Sequence, residues 1–127
     1  MASGDCVLII SGPKNNPDKR HLFVFVTETF KAENRVLSAV LVPICTVQDS
    51  YAADKTCMLV PGDHPFIKNK SFVYYQRAAI MRVTNIMKDV WGGKTILKDK
   101  MPKDVLQKII TGVRKSPFTP PDIKKLV

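Results

Sequence analysis

The chain lacks the motifs on which several large classes of enzyme depend. It has no P-loop, no GxGxxG and no HExxH motif, and its two histidines, His21 and His64, lie far apart in the sequence. The three cysteines, Cys6, Cys45 and Cys57, show no CxxC or Cys/His spacing. Because metal ions and nucleoside triphosphates are held by such residue sets, the sequence predicts neither a metal centre nor a cofactor.

Long apolar runs and paired cysteines are also missing. An odd number of cysteines, each within an apolar stretch, indicates buried thiols in a reducing compartment. The first residues form no basic leader, and the longest apolar run is far shorter than a bilayer span. We therefore expect a cytoplasmic protein that makes no use of a membrane.

Acidic residues are few. The 127 residues contain 20 Lys and Arg against 11 Asp and Glu, a formal net charge of +9. Residues 82–127 hold eleven of these cations and four of the acids, so most of the excess lies in this last third. A balance of this kind favours a polyanionic partner, because cations that neutralise phosphates release condensed counterions. The alternative is a basic surface without such a partner.

Short apolar runs separated by Gly, Pro and Asn dominate the first two thirds of the chain. They predict strands over residues 6–11, 20–29, 36–46, 55–60 and 71–82. Apolar side chains on both faces of 20–29 place this strand centrally. Pro43 cannot donate to a ladder, so we expect a bulge or a strand end there. The close spacing of the strands indicates an antiparallel barrel.

Helical periodicity begins only after residue 82. An apolar stripe at helical spacing follows Pro102 and ends before Ser116-Pro117; it consists of Val105, Leu106, Ile109, Ile110 and Val113. Shorter helical turns are expected at 87–91 and 120–127. The stripe either packs on the barrel or enters a groove of a partner.

Two local clusters are able to support chemistry. Lys19-Arg20-His21 combines cations with an imidazole at a loop-to-strand junction, where they can stabilise a phosphate and move a proton. The alternative is a solvated strand end. In the segment 61–70, prolines and a glycine fix a backbone that carries His64, Lys68 and Lys70 beside Phe66, a potential base-stacking ring. The alternative there is a stiff turn that plugs the core.

Four short motifs occur in a distinctive order. They are Gly4-Asp5 before an apolar strand, Lys19-Arg20-His21 opening the next strand, Val42-Pro43-Ile44-Cys45-Thr46 ending the third, and Tyr74-Tyr75-Gln76-Arg77 in a later strand. This order, followed by a basic amphipathic helix, resembles that of the PemK/MazF-like growth-inhibitor toxins of type II toxin–antitoxin systems. The segment 61–70 has no counterpart in that pattern.

The resemblance implies a single α+β domain over residues 1–127, mainly β with C-terminal helices. It would form an SH3-like small β-barrel over about residues 4–82, with a basic helical part over about 83–127. The family resemblance further implies a homodimer and a toxin that acts as a metal-independent endoribonuclease on single-stranded RNA. An antitoxin protein would neutralise it.

The resemblance also assigns roles to individual residues. Arg20 matches the catalytic arginine that stabilises charge on the phosphate. In strict register Cys45 occupies the position of the catalytic threonine, and Thr46 matches it if the strand end shifts by one residue. His21 is a further catalytic candidate. The candidates for RNA binding are Lys19, His64, Lys68, Lys70, Gln76 and Arg77.

Two other functions fit the same residues. One is a non-catalytic nucleic-acid-binding barrel that uses the lysine-rich last third of the chain. The other is a protein-interaction module that inhibits a replication or translation enzyme through the C-terminal helix.

Overall fold

The apolar runs of the sequence form the strands of a single antiparallel sheet. The computed structural model describes residues 1–12, 14–48 and 53–127. The strands are β1 (Cys6–Ile10), β2 (Arg20–Phe25), β3 (Phe30–Lys31), β4 (Leu37–Thr46), β5 (Met58–Leu59), β6 (Ser71–Val73), β7 (Ala79–Arg82) and β8 (Ile96–Lys98). The helices are α1 (Val83–Trp91), α2 (Lys103–Lys115) and α3 (Pro121–Lys124), and a 3-10 turn spans Tyr75–Arg77.

The ten-residue strand β4 organises the sheet. The strand order is β5-β6-β4-β2-β1-β8, and β3 and β7 also pair with β4. β4 therefore contacts β3 and β7 near its start, β2 in its middle, and β6 at its end. Its long apolar sequence supplies side chains to both faces, since successive residues of a strand point to opposite sides.

Two apolar clusters cover the two faces of this sheet. Leu22 and Val24 of β2 pack with Val40 and Val42 of β4 in the larger cluster, which also contains the buried stripe of α2 (Val105, Ile109 and Val113). The smaller cluster lies on the other face, between strand residues and α1; its buried members are Val7, Phe23, Phe25, Ala39, Leu41, Val83 and Ile86. The central position predicted for β2 is thus confirmed, and the apolar face of α2 is used within the fold.

The architecture confirms the expected α+β class, with mainly antiparallel strands and helices late in the chain. The sheet is not closed into a barrel: its order runs from β5 at one end to β8 at the other. Within the described ranges, no helix has the length and apolar character needed to cross a membrane.

Several predicted boundaries were wrong. The strand expected over 20–29 ends at Phe25, and the one expected over 55–60 is reduced to Met58–Leu59. The short strands β3 and β8 were not predicted, and α1 begins four residues before the expected turn. β8 carries exposed Ile96 and Leu97, so it lacks the buried alternation by which strands are recognised in a sequence.

Pro43 neither ends β4 nor shifts its register with β2. Phe23 faces Pro43, and regular pairs lie on either side of them. The interruption instead falls on the other edge of β4, where the partner changes from β7 at Leu41 to β6 at Ile44. The carbonyl oxygen of Pro43 accepts a hydrogen bond from the Tyr74 N–H at 2.9 Å. The backbone N–H that proline lacks is tolerated because Pro43 lies where the partner of β4 changes from β7 to β6.

Tyr75 explains why the strand predicted over 71–82 is broken in two. The chain turns through the 3-10 turn at Tyr75–Arg77, which places the Tyr75 ring in the core with none of its surface exposed. Its hydroxyl donates to the carbonyl oxygen of Ile109 at 2.8 Å. Gly112, one turn further along α2, makes room for this ring, because a Cβ at Gly112 would overlap Oη and Cζ of Tyr75.

Replacing Gly112 with alanine tests this packing. A methyl group there must displace the buried tyrosine and its hydrogen bond, and such overpacking costs about 1–3 kcal/mol. The gain in helix propensity, about 1 kcal/mol, offsets only part of that cost. Because loss of the Tyr75 hydrogen bond adds about 1 kcal/mol to the cost, we expect Gly112→Ala to lower the free energy of unfolding, measured by urea denaturation, by about 1–3 kcal/mol.

Gly92→Ala is the matched control. Gly92 has an ordinary φ of −80°, and a Cβ there would meet Lys88 O at 3.4 Å, a normal contact. We expect a change within about 0.5 kcal/mol. Equal stability of the Gly112 and Gly92 variants would contradict the proposed contact with Tyr75.

Candidate functional site

A cleft opens where β2 and β4 separate. Their pairing ends at Leu22 and Ile44. Beyond this point β2 remains paired with β1 as far as Arg20, and β4 remains paired with β6 as far as Thr46. A cavity of about 520 Å³ lies at this fork and is called the fork cleft below.

The fork cleft collects the two sequence clusters on one surface. Its lining comprises Lys19, Arg20, His21, Leu22, Ile44, Cys45, Thr46, Gln48, His64, Pro65, Phe66, Ile67, Lys68, Asn69, Ser71, Lys98 and Asp99. Four of these side chains are cationic (Lys19, Arg20, Lys68 and Lys98) and one is acidic, so the cleft favours an anionic ligand.

Arg20 stands at the end of β2 that lines the cleft. Its Nε donates to the carbonyl oxygen of Lys94 at 3.3 Å, a contact across the turn between α1 and β8. This bond holds the guanidinium group at one of its three nitrogens. Because strand side chains alternate, Arg20 shares a face of the sheet with Leu22, and His21 shares the opposite face with Phe23. Residues of both faces are in the lining of the fork cleft.

Ser11 is the hydrogen-bond partner of Nδ1 of His21. The Ser11 hydroxyl donates to the carbonyl oxygen of Ile9 at 3.1 Å, and its Oγ lies 2.6 Å from Nδ1 of His21. With the single Ser11 proton on the carbonyl oxygen of Ile9, Nδ1 of His21 is the donor in the second bond. Nε2 then holds the lone pair, which is the form that a general base requires.

The surroundings of His21 and Cys45 keep both groups uncharged. Burial lowers the pKa of His21 below its usual value, and the positive charges of Lys19 and Arg77 lower it further. Burial raises the pKa of the Cys45 thiol, although the same two cations act in the opposite direction. His21 is therefore an imidazole that can accept a proton at neutral pH, and Cys45 is a thiol rather than a thiolate.

His64 has a structural position in the cleft wall. It is only 1% exposed, and the Phe66 N–H donates to its Nδ1 at 3.0 Å. Nε2 must then carry the proton, and it lies 2.6 Å from the carbonyl oxygen of Asp99, to which it donates. Because both ring nitrogens have partners, we give His64 a positioning role and no part in proton transfer.

The remaining predicted residues are distributed around the cleft. Lys68 is in its lining, whereas Lys70, Gln76 and Arg77 are not. Arg77 is nonetheless near enough to affect the pKa values of His21 and Cys45, and its guanidinium lies 5.8 Å from the centre of the Tyr74 ring.

Several residues of the site were not predicted from the sequence. Lys98 and Asp99 enter the cleft through β8, a strand that was not predicted, and Ser11 acts through its hydrogen bond to His21. Ser11 ends the first predicted strand and His21 lies at the start of the next. Antiparallel pairing of these two strands brings such ends together, so their positions could have indicated the contact. No comparable signal pointed to Lys98.

Among the residues that the structure describes, no group of three or more His, Cys, Asp or Glu side chains could hold a metal ion. Comparisons of the chain with protein-family models, curated proteins and solved structures gave no match.

The pKa of His21 can be altered by removing a neighbouring cation. A positive charge nearby disfavours the imidazolium ion, so Lys19→Gln should raise the pKa of His21 towards its usual value. Arg77→Gln should raise it by less, because Arg77 is the smaller of the two influences. An NMR titration of the His21 ring protons measures both shifts.

Lys31→Gln serves as the control, because Lys31 is exposed on β3 outside the fork cleft. It should leave the titration of His21 unchanged. A pKa of His21 that falls or stays constant in Lys19→Gln would show that the cations do not act on this ring.

Proposed function

We propose that this chain is a toxin-like endoribonuclease that cleaves single-stranded RNA without a metal ion. The observation that carries the proposal is the fork cleft, which brings Lys19-Arg20-His21 together with Cys45-Thr46 from two separate strand ends. These are the segments to which the resemblance to PemK/MazF-like toxins assigns catalysis. The homodimer, the cytoplasmic location and the neutralising antitoxin belong to the same proposal and rest on that resemblance.

The proposed reaction needs a base, a charge stabiliser and a bound RNA strand. Nε2 of His21 takes the proton of a ribose 2′-OH, whose oxygen attacks the adjacent phosphorus. The new O2′–P bond forms as the P–O5′ bond breaks. The leaving 5′-oxygen takes a proton from water, and the hydroxide that remains takes up the proton that His21 then releases. The products are a 2′,3′-cyclic phosphate and a 5′-hydroxyl end, with no change in oxidation state.

Arg20 supplies the charge stabilisation in this scheme. Its guanidinium, held at Nε by Lys94 O, faces a cleft in which negative charge develops on the phosphorane oxygens. Thr46 offers a hydroxyl donor to the same oxygens. Lys68 and Lys98 attract the neighbouring phosphates, since lysine is a flexible point charge suited to such contacts.

Cys45 favours a second candidate function. In strict register a thiol replaces the threonine hydroxyl of the family pattern, and a thiol is the weaker hydrogen-bond donor. The second candidate is accordingly a protein that binds single-stranded RNA in the fork cleft without cutting it.

Incubation of the purified protein with a long single-stranded RNA in EDTA tests the proposed function. We expect discrete cuts whose ends carry cyclic phosphate, and Arg20→Ala should reduce the rate by about a hundredfold or more, as loss of one charge stabiliser does elsewhere.

Arg82→Ala is the matched control. Arg82 is exposed and pairs with Ser38 at the other end of β4, roughly 25 Å along the strand from Thr46. It should cut at the wild-type rate. Equal loss in both variants would remove Arg20 from the site, and binding of intact RNA without cuts would favour the second candidate.

A further inference from the structure

The segment 61–70 is fastened to the end of β8 by its buried histidine. Nε2 of His64 donates to Asp99 O at 2.6 Å, and the next turn of the segment is closed by the Phe66 N–H on Nδ1 at 3.0 Å. The Ile67 N–H donates to the carbonyl oxygen of His64 at 2.9 Å. These bonds fix the backbone on either side of Phe66.

The two apolar side chains of this segment have different surroundings. Ile67 is 5% exposed and belongs to the larger core cluster. Phe66 is 40% exposed and lines the fork cleft. Of these two side chains, Ile67 packs in the core and Phe66 does not. Packing of the core therefore does not explain why position 66 carries an aromatic ring.

The ring of Phe66 is accompanied by a cation from the neighbouring strand. Nζ of Lys98 lies 5.8 Å from the ring centre, within the range of a cation–π contact. Lys98 ends β8 and is held in register opposite Cys6. The ammonium group therefore stands over one face of the ring, 40% of the Phe66 surface remains exposed, and the backbone is held by hydrogen bonds on either side of the residue.

This combination fits one nucleotide of a single strand. An unpaired base offers a flat face to an aromatic ring, and its phosphate is an anion that Lys98 and Lys68 attract. Bases within a duplex are already stacked on both faces and cannot use such a ring.

We propose that Phe66 forms a stacking subsite for an unpaired nucleobase, with Lys98 contacting the phosphate of the same nucleotide. His64 is the positioning residue that presents the ring. The subsite rests on the proposed function in so far as it takes single-stranded RNA as the ligand of the fork cleft.

The test measures binding of a fluorescent 2′-O-methyl oligoribonucleotide by anisotropy, because its blocked 2′ oxygens prevent cleavage. Phe66→Leu keeps an apolar side chain and removes the flat ring, and it should weaken binding about fivefold or more. Phe66→Trp should bind at least as tightly as the wild type. Phe118→Leu, at a 56% exposed phenylalanine outside the cleft, should leave the affinity unchanged.

An abasic oligonucleotide with the same backbone separates stacking from any general effect on the cleft. The wild type and Phe66→Leu should bind it with equal affinity. The subsite would be overturned if Phe66→Leu lost affinity equally for both oligonucleotides, or if it bound the base-bearing strand as tightly as the wild type does. It would also be overturned if the wild type failed to bind the base-bearing strand.

The two proposals can fail separately. Base-dependent binding through Phe66 by a protein that cuts no RNA supports the subsite and contradicts the proposed nuclease. RNA cleavage by a protein whose RNA affinity does not change in Phe66→Leu supports the proposed nuclease and contradicts the subsite.

Discussion

The pairing of β2 with β4 is the constraint on which the rest of the molecule depends. Where the two strands pair, their alternating side chains fill the apolar clusters on both faces of the sheet. Where the pairing stops, at Leu22 and Ile44, each strand follows a different neighbour and the fork cleft opens. The same two strands thus stabilise the core and carry residues of the site. The apolar part of each strand is anchored in the core, and this positions the polar end of β2 and the polar end of β4 in the cleft.

Electrostatics give the fork cleft its chemical character. Lys19, Arg20, Lys68 and Lys98 attract an anion, and partial burial together with Lys19 and Arg77 keeps His21 uncharged and able to accept a proton. With the Ser11 proton on the carbonyl oxygen of Ile9, the proton-accepting lone pair of His21 lies on Nε2. A base beside several cations suits the proposed removal of a proton next to a bound phosphate.

Much of the fold was accessible from the sequence, and the failures have physical causes. The apolar runs of β1, β2 and β4 and the stripe of α2 follow regular periods, so their existence was predictable. The break at Tyr75 was not, because it depends on the space left by Gly112 on a distant helix. Lys19, Arg20, His21, Cys45, Thr46, His64 and Lys68 were recognised as candidates and do line one cleft. Ser11, Lys98 and Asp99 join it through tertiary contacts that local patterns do not contain.

The central claim is that single-stranded RNA occupies the fork cleft. Titration of ¹⁵N-labelled protein with the 2′-O-methyl oligoribonucleotide, followed through the backbone amide signals, tests it most directly. The account predicts that the largest shifts fall on residues 19–22, 44–46, 64–69 and 98, with little change on α2 and α3. Shifts confined to the lysines of α2 and α3 would contradict it, because the RNA would then bind the basic C-terminal surface and leave the cleft empty.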